Sequence, residues 1–163
     1  MSEINWRSIL FTISAINSLY FIITLINTLE LWIISKITAS GLITGILFSL
    51  TSIPFFFSYF TGTIVDTAKN KKTILLTLSF LLLVLLLLSQ LELLVNNLPI
   101  LILLFYTTAL MTGIVFDVSG SIMSVWIKEN VKEEFYKKVS SINRTITRSL
   151  GLFAEYWQGS FLR

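Results

Sequence analysis

The chain has 163 residues, 55% of them hydrophobic and only 13% charged, with a mean hydropathy of +0.84 and a net charge of +3. Soluble domains carry about twice that share of charge, so a disordered tail, a coiled coil and an ordinary water-soluble enzyme are excluded. It has neither Cys nor His, which removes disulfides, thiolate nucleophiles, the commonest metal ligand and the usual pH switch.

A spanning helix needs roughly 20 mostly apolar residues. Four segments meet that length: 9–35, 41–60, 73–91 and 98–126. A fifth apolar stretch, 146–162, contains Arg148 and Glu155 and reads as an incomplete span. Barrel strands would be about 9–11 residues with strict alternation, so these are helices. The first apolar region is too long for a secretory signal of about 7–15 apolar residues, and it lacks a small-residue cleavage site. The expected fold is all-α: a polytopic transmembrane helical bundle of about five spans, forming a single membrane domain over 1–163.

Lys and Arg mark the side that stays in the cytoplasm. With the N-terminus inside, that side receives Arg7, Lys69, Lys71, Lys72, Lys128, Lys132, Lys137, Lys138, Arg144 and Arg148, and the other receives Lys36 alone. Asn96, Asn97 and Pro99 make the short outer turn before the fourth span. The basic surplus is thus a topology signal, and a nucleic-acid partner loses its support. Within the soluble segment 128–143, Val139 and Ile142 recur at helical spacing with Phe135 and, just before, Val131, opposite Lys132, Glu133, Lys137 and Lys138. This pattern predicts an amphipathic helix along the cytoplasmic interface, serving as a connector between spans rather than a calmodulin-type target.

Ionisable groups inside a membrane are expensive and face protein or a wet cavity. Glu30, late in the first span, and Asp117, about 13 Å in from Trp126 by helical rise, are candidates for a proton or a cationic substrate group. The structural alternative has Glu30 snorkelling to the outer headgroups and Asp117 pairing with a Lys or Arg. Ser14, Asn17, Ser18, Thr24, Asn27 and Thr28 fall mainly on one side of the first span, with Tyr20 inside the stripe and Glu30 at its edge. Such a stripe either lines a water-filled path or makes interhelical hydrogen bonds. Asn17, Tyr20, Thr24, Asn27, Glu30 and Asp117 are therefore the substrate- or ion-path candidates. The third span, nearly pure leucine, should lie outside against lipid. The fourth, with Thr112, Gly113, Ser119 and Gly120, should pack inside.

The segment after the second span reads Gly62-Thr-Ile-Val-Asp66-Thr-Ala-Lys69-Asn-Lys71-Lys72. As a loop, it would use Gly62 for a sharp exit or close approach, and Asp66 could accept from amides at a neighbouring helix N-terminus. Here the chain resembles the major facilitator superfamily, whose motif between its second and third helices is Gly-x-Leu-x-Asp-Arg followed by a basic run. Gly62, Ile64, Asp66, Lys71 and Lys72 match, while Thr67 and Asn70 stand where the family has basic residues. Thr38 to Gly45, Phe116-Asp117-Val-Ser119 and Lys132-Glu-Glu through Asn143 are similar to segments of its macrolide- and siderophore-exporter branch. At the fifth helix, Ala154-Glu155-Tyr-Trp-Gln158-Gly159 takes the place of that branch's Gly-Pro motif.

The resemblance implies the N-terminal part of a major facilitator fold, truncated, with Gly62, Asp66, Lys71 and Lys72 as its conformational loop motif. It also implies an unknown small-molecule substrate and no cofactor. The family holds substrate between two six-helix halves, so a second polypeptide would have to supply the missing spans, and the chain alone should not transport. The alternative is a small non-transporting integral membrane protein, or the relic of a truncated gene. Intramembrane hydrolysis lacks a nucleophile–base pair or paired carboxylates. The orientation is testable: impermeant reagents applied to intact cells should leave tags placed at Lys71 and Lys137 unmodified, and labelling of either reverses it.

Overall fold

The computed structural model describes residues 6–92 and 94–161, with side chains except those at 8, 91, 92, 154, 155 and 157–161. The described part is all-helical, and four of its helical segments are long and apolar enough to cross a membrane: Ile9–Thr38, Gly41–Thr67, Lys71–Gln90 and Leu98–Asn130. This is a membrane protein built from transmembrane helices.

Helix α1 (Trp6–Thr38) runs without Gly or Pro. Its end is set by Ala39, which takes a left-handed φ of 48° and donates its N–H to the Ser35 carbonyl at 3.2 Å. Ser40 then caps α2 (Gly41–Ser52), its Oγ accepting from the Ile43 amide. Pro54 has no N–H and its ring crowds the preceding turn, so the chain tightens into a 3-10 segment, Ile53–Phe57, before α3 (Ser58–Thr67) resumes. Asn70 starts α4 (Lys71–Glu92), its Oδ1 accepting from the Thr73 amide at 3.3 Å. Asn97 does the same for α5 (Leu98–Asn130), with Pro99 in the first turn where a missing N–H is harmless. Helix α6 (Glu133–Phe161) follows a two-residue break.

Several boundaries differ from the sequence reading. The second span is expected over 41–60, but helix continues to Thr67, because Thr63 and Thr67 return their hydroxyls to the Tyr59 and Thr63 carbonyls at 2.9 and 3.0 Å and no residue breaks the ladder. Gly62, Ile64 and Asp66 therefore lie in α3, and the turn is confined to residues 68–70. Gly62 makes neither a sharp exit nor a close approach: its φ is not positive, and nothing lies within 4 Å of a Cβ built on it. The connector 128–143 is divided, its first three residues extending α5 and the remainder, after the break, running into the fifth apolar stretch as one uninterrupted helix. Of that stretch, the Ala154, Glu155 and Gln158 side chains and Leu162 lie outside what is described, as does Arg163 after it.

Helix α5 is the hub, packing against α1, α2, α3, α4, α6 and the 3-10 segment. Helix α4 buries Leu78, Leu82 and Leu85 and turns Phe80, Leu83 and Leu87 outward, as a peripheral helix against lipid should. One apolar cluster fills the end where α1 begins, with Ile13, Ile16, Leu82, Ile122 and Val139; a smaller one around Ile34, Leu47 and Phe105 fills the other. The up-and-down course gathers Arg7, Lys69, Lys71, Lys72, Lys128 and Lys132 at the first end. There Lys71 Nζ pairs with Glu129 Oε1 at 2.8 Å, and Trp6 meets the Phe135 ring edge-on under the Lys138 ammonium.

Among the described glycines the closest approach is at Gly113, where an added Cβ would fall 2.5 Å from the Thr51 carbonyl oxygen and 3.1 Å from Pro54 Cγ. Backbone cannot yield as a flexible side chain can. Gly113→Ala should therefore destabilise the folded chain by about 1–3 kcal/mol, whereas Gly62→Ala should be neutral or gain up to about 1 kcal/mol of helix propensity. Denaturation in mixed micelles followed by circular dichroism checks both; equal effects would contradict the packing described.

Candidate functional site

The polar residues of the first span fall into separate environments. Ser14 and Ser18 are exposed, and Ser18 donates to the Ser14 carbonyl. Thr24 likewise turns back on its own helix, to the Tyr20 carbonyl at 2.8 Å. Asn17 and Asn27 instead reach other helices. Asn17 is buried, its Nδ2 donating to Asn143 Oδ1 and to the Ile13 carbonyl, both at 2.8 Å, while its Oδ1 accepts from Thr147 Oγ1 at 2.7 Å. Asn27 Oδ1 accepts from Thr112 Oγ1 on α5 at 2.7 Å. Protein covers the Asn17 amide, whereas Asn27 is half-buried with its oxygen engaged.

Tyr20 is buried with its ring tilted over Phe116 at 4.6 Å, and Phe116 meets Phe55 edge-on at 5.6 Å. Gly120 makes room for the phenol, whose oxygen lies 3.1 Å from where a Cβ would stand. This aromatic row leads to Asp117, which is 7% exposed and belongs to the inward face of α5. Among the described residues, no Lys or Arg pairs with it. Ser58 Oγ donates to its Oδ1 and Thr61 Oγ1 to its Oδ2, each at 2.5 Å, at the short end of hydroxyl–carboxylate contacts. Glu30 does not snorkel; it is 2% exposed in the bundle interior.

Between α3 and α5 opens a cleft of about 430 Å³ lined by Phe55, Gly62, Asp66, Phe116, Asp117 and Gly120, among others. The fold thus joins two sets of residues that the sequence holds far apart: Gly62 and Asp66 of the second span, and Asp117 of the fourth. Asp66 is exposed at the end of α3 with no hydrogen bond or ion pair among the described residues, so the expected amide contact is not made. Lys71 is engaged with Glu129 and Lys72 is exposed. Glu30 stands apart: it lies three residues beyond Asn27 toward the opposite end, and Asp117 five residues the other way from Thr112, about 12 Å of helical rise in all.

Sequence reasoning missed Ser58, Thr61 and Thr147. Hydroxyl residues on apolar helices are common, and only a helix-to-helix register tells which of them face a partner. Pro54 did carry a readable signal, a helix breaker inside an apolar run. Compared with protein-family models, curated proteins and solved structures, the chain matches none of them.

The Asn17–Thr147 contact should behave as a tether of α6. A double-mutant cycle of Asn17→Leu and Thr147→Val, read by unfolding in micelles, should give a coupling of about 0.6–1.7 kcal/mol, the range of hydrogen bonds between membrane helices. Additive effects would place the two side chains out of contact.

Proposed function

We propose that this chain is part of an exporter-like secondary transporter of the major facilitator kind, set in the cell membrane with its N-terminus in the cytoplasm. The observation that supports the reading is the discontinuous second span. It breaks at Pro54 beside a cleft that holds a buried carboxylate, Asp117. Transporters place their sites beside interrupted helices, because only there does irregular backbone border a cavity. In this reading Asp117 and the Phe55–Phe116–Tyr20 row border the substrate or ion path, and Asp66, with Lys71 and Lys72, acts at the cytoplasmic end as the conformational motif. Rocking needs a second half to rock against, so the spans that complete the carrier come from another polypeptide or from sequence beyond these 163 residues. Neither nucleic acid nor catalysis has a part in it.

A second reading, a helical bundle without transport activity, draws support from Asn17, whose buried amide is engaged by α6 on both its nitrogen and its oxygen.

Accumulation of a labelled macrolide distinguishes the two. Cells expressing the chain alone should accumulate it like controls, and cells also expressing the complementing spans should accumulate less. Asp66→Asn should restore accumulation toward the control. A fall caused by the chain alone would refute the need for a second half, and an unaltered Asp66→Asn pair would remove that residue's role.

A further inference from the structure

The two halves of the second span are attached to the hub helix in different ways. Helix α2 is pinned by shape: Gly113 of α5 takes the Thr51 carbonyl into close contact, Leu47 is fully buried, and Tyr106 Oη donates to the Ile43 carbonyl at 3.1 Å. Helix α3 likewise buries one residue, Val65, and packs along α5 as α2 does, but α2 is also held by α1, while the polar contacts of α3 with α5 are those of Ser58 and Thr61 with Asp117. Between the halves lies the 3-10 segment at Pro54, where one ladder hydrogen bond is already missing.

The hydroxyls have a second property. Each carries one proton and stands within reach of two acceptors. Ser58 Oγ lies 2.5 Å from Asp117 Oδ1 and 2.8 Å from the Phe55 carbonyl; Thr61 Oγ1 lies 2.5 Å from Asp117 Oδ2 and 3.0 Å from the Ser58 carbonyl. Rotation about one bond moves either proton from the neighbouring helix to its own. If α3 leaves α5, neither donor is stranded, which is the ordinary penalty for parting a buried polar contact. The carboxylate left behind faces the cleft, whose volume of about 430 Å³ admits several waters.

We infer that α3 is a hinged arm, turning about residues 53–57 while α2 stays fixed, and that Asp117 with Ser58 and Thr61 is its latch. Swinging the arm widens the cleft from which Asp66 and Gly62 depart and in which Asp117 and Phe116 remain. The device is a property of this bundle and stands independently of any transported substrate.

Because the chain has no cysteine, paired spin labels can be placed without background. The full chain in lipid nanodiscs carries one pair on α3 and α5, Thr67→Cys with Ser124→Cys, and a control pair on α2 and α5, Ser49→Cys with Met111→Cys. Asp117→Ala opens the latch while leaving both hydroxyls their own carbonyls, so it should fold and add a longer-distance population at the α3–α5 pair. That population should rise above about 10%, the ceiling usual for a minor state, with the control pair unchanged. Ser58→Ala/Thr61→Val should lengthen the same pair, and adding Pro54→Ala to Asp117→Ala should reduce the effect by straightening the hinge. An unaltered α3–α5 distance in Asp117→Ala, equal broadening of both pairs, or failure of Asp117→Ala to fold would each overturn the inference.

Discussion

Inside a bilayer no water stands ready to satisfy a polar group, and apolar contact between helices gains little, since lipid tails are as apolar as leucine. Every backbone group has to be satisfied within its own helix. Helices can then adhere only through close approach or through polar side chains that find each other. Both devices centre on α5. Gly113 brings it against the backbone of the second span, Thr112 and Asp117 carry its polar contacts to α1 and α3, and Gly120 admits Tyr20. Helix α6 is the exception, held chiefly by Asn17 of α1.

The same economy explains why so many hydroxyls look inward to their own helix. Thr24, Thr63, Thr67 and Ser79 each return the proton to a carbonyl three or four residues back, which satisfies a polar group in lipid without a partner. Ser58, Thr61, Thr112 and Thr147 retain that arrangement and add a neighbour's oxygen. Their contacts between helices are exchangeable, whereas the contact at Gly113 is steric and fixed. The cleft beside Asp117 lies along one of these polar contacts.

Much of the architecture was legible because length and composition suffice for it. A run of apolar residues long enough to cross lipid has helix as its only open-ended solution, so 9–35, 73–91 and 98–126 were found within a few residues of α1, α4 and α5. The lipid-facing character of α4 followed from its unbroken leucines. Ends were harder. Gly62, Asp66 and the threonines around them suggest a loop by residue type, yet helix persists to Thr67 because the threonines satisfy themselves locally. The stripe on the first span was visible as a stripe, but Ser18 and Asn17 differ by a single position and are exposed and buried respectively.

By itself the sequence determined that the chain lives in lipid, that it crosses repeatedly as helix, and that its basic residues collect at one end, since these depend on composition summed over long windows. Only the tertiary structure decided that Asp117 is held by two hydroxyls instead of a cation, that Asn17 and Asn27 are answered by Thr147 and Thr112, and that Asp66 and Asp117 border one cleft. Those outcomes turn on the register and distance between helices far apart in the chain, quantities that a few ångströms alter and that no local pattern of residues encodes.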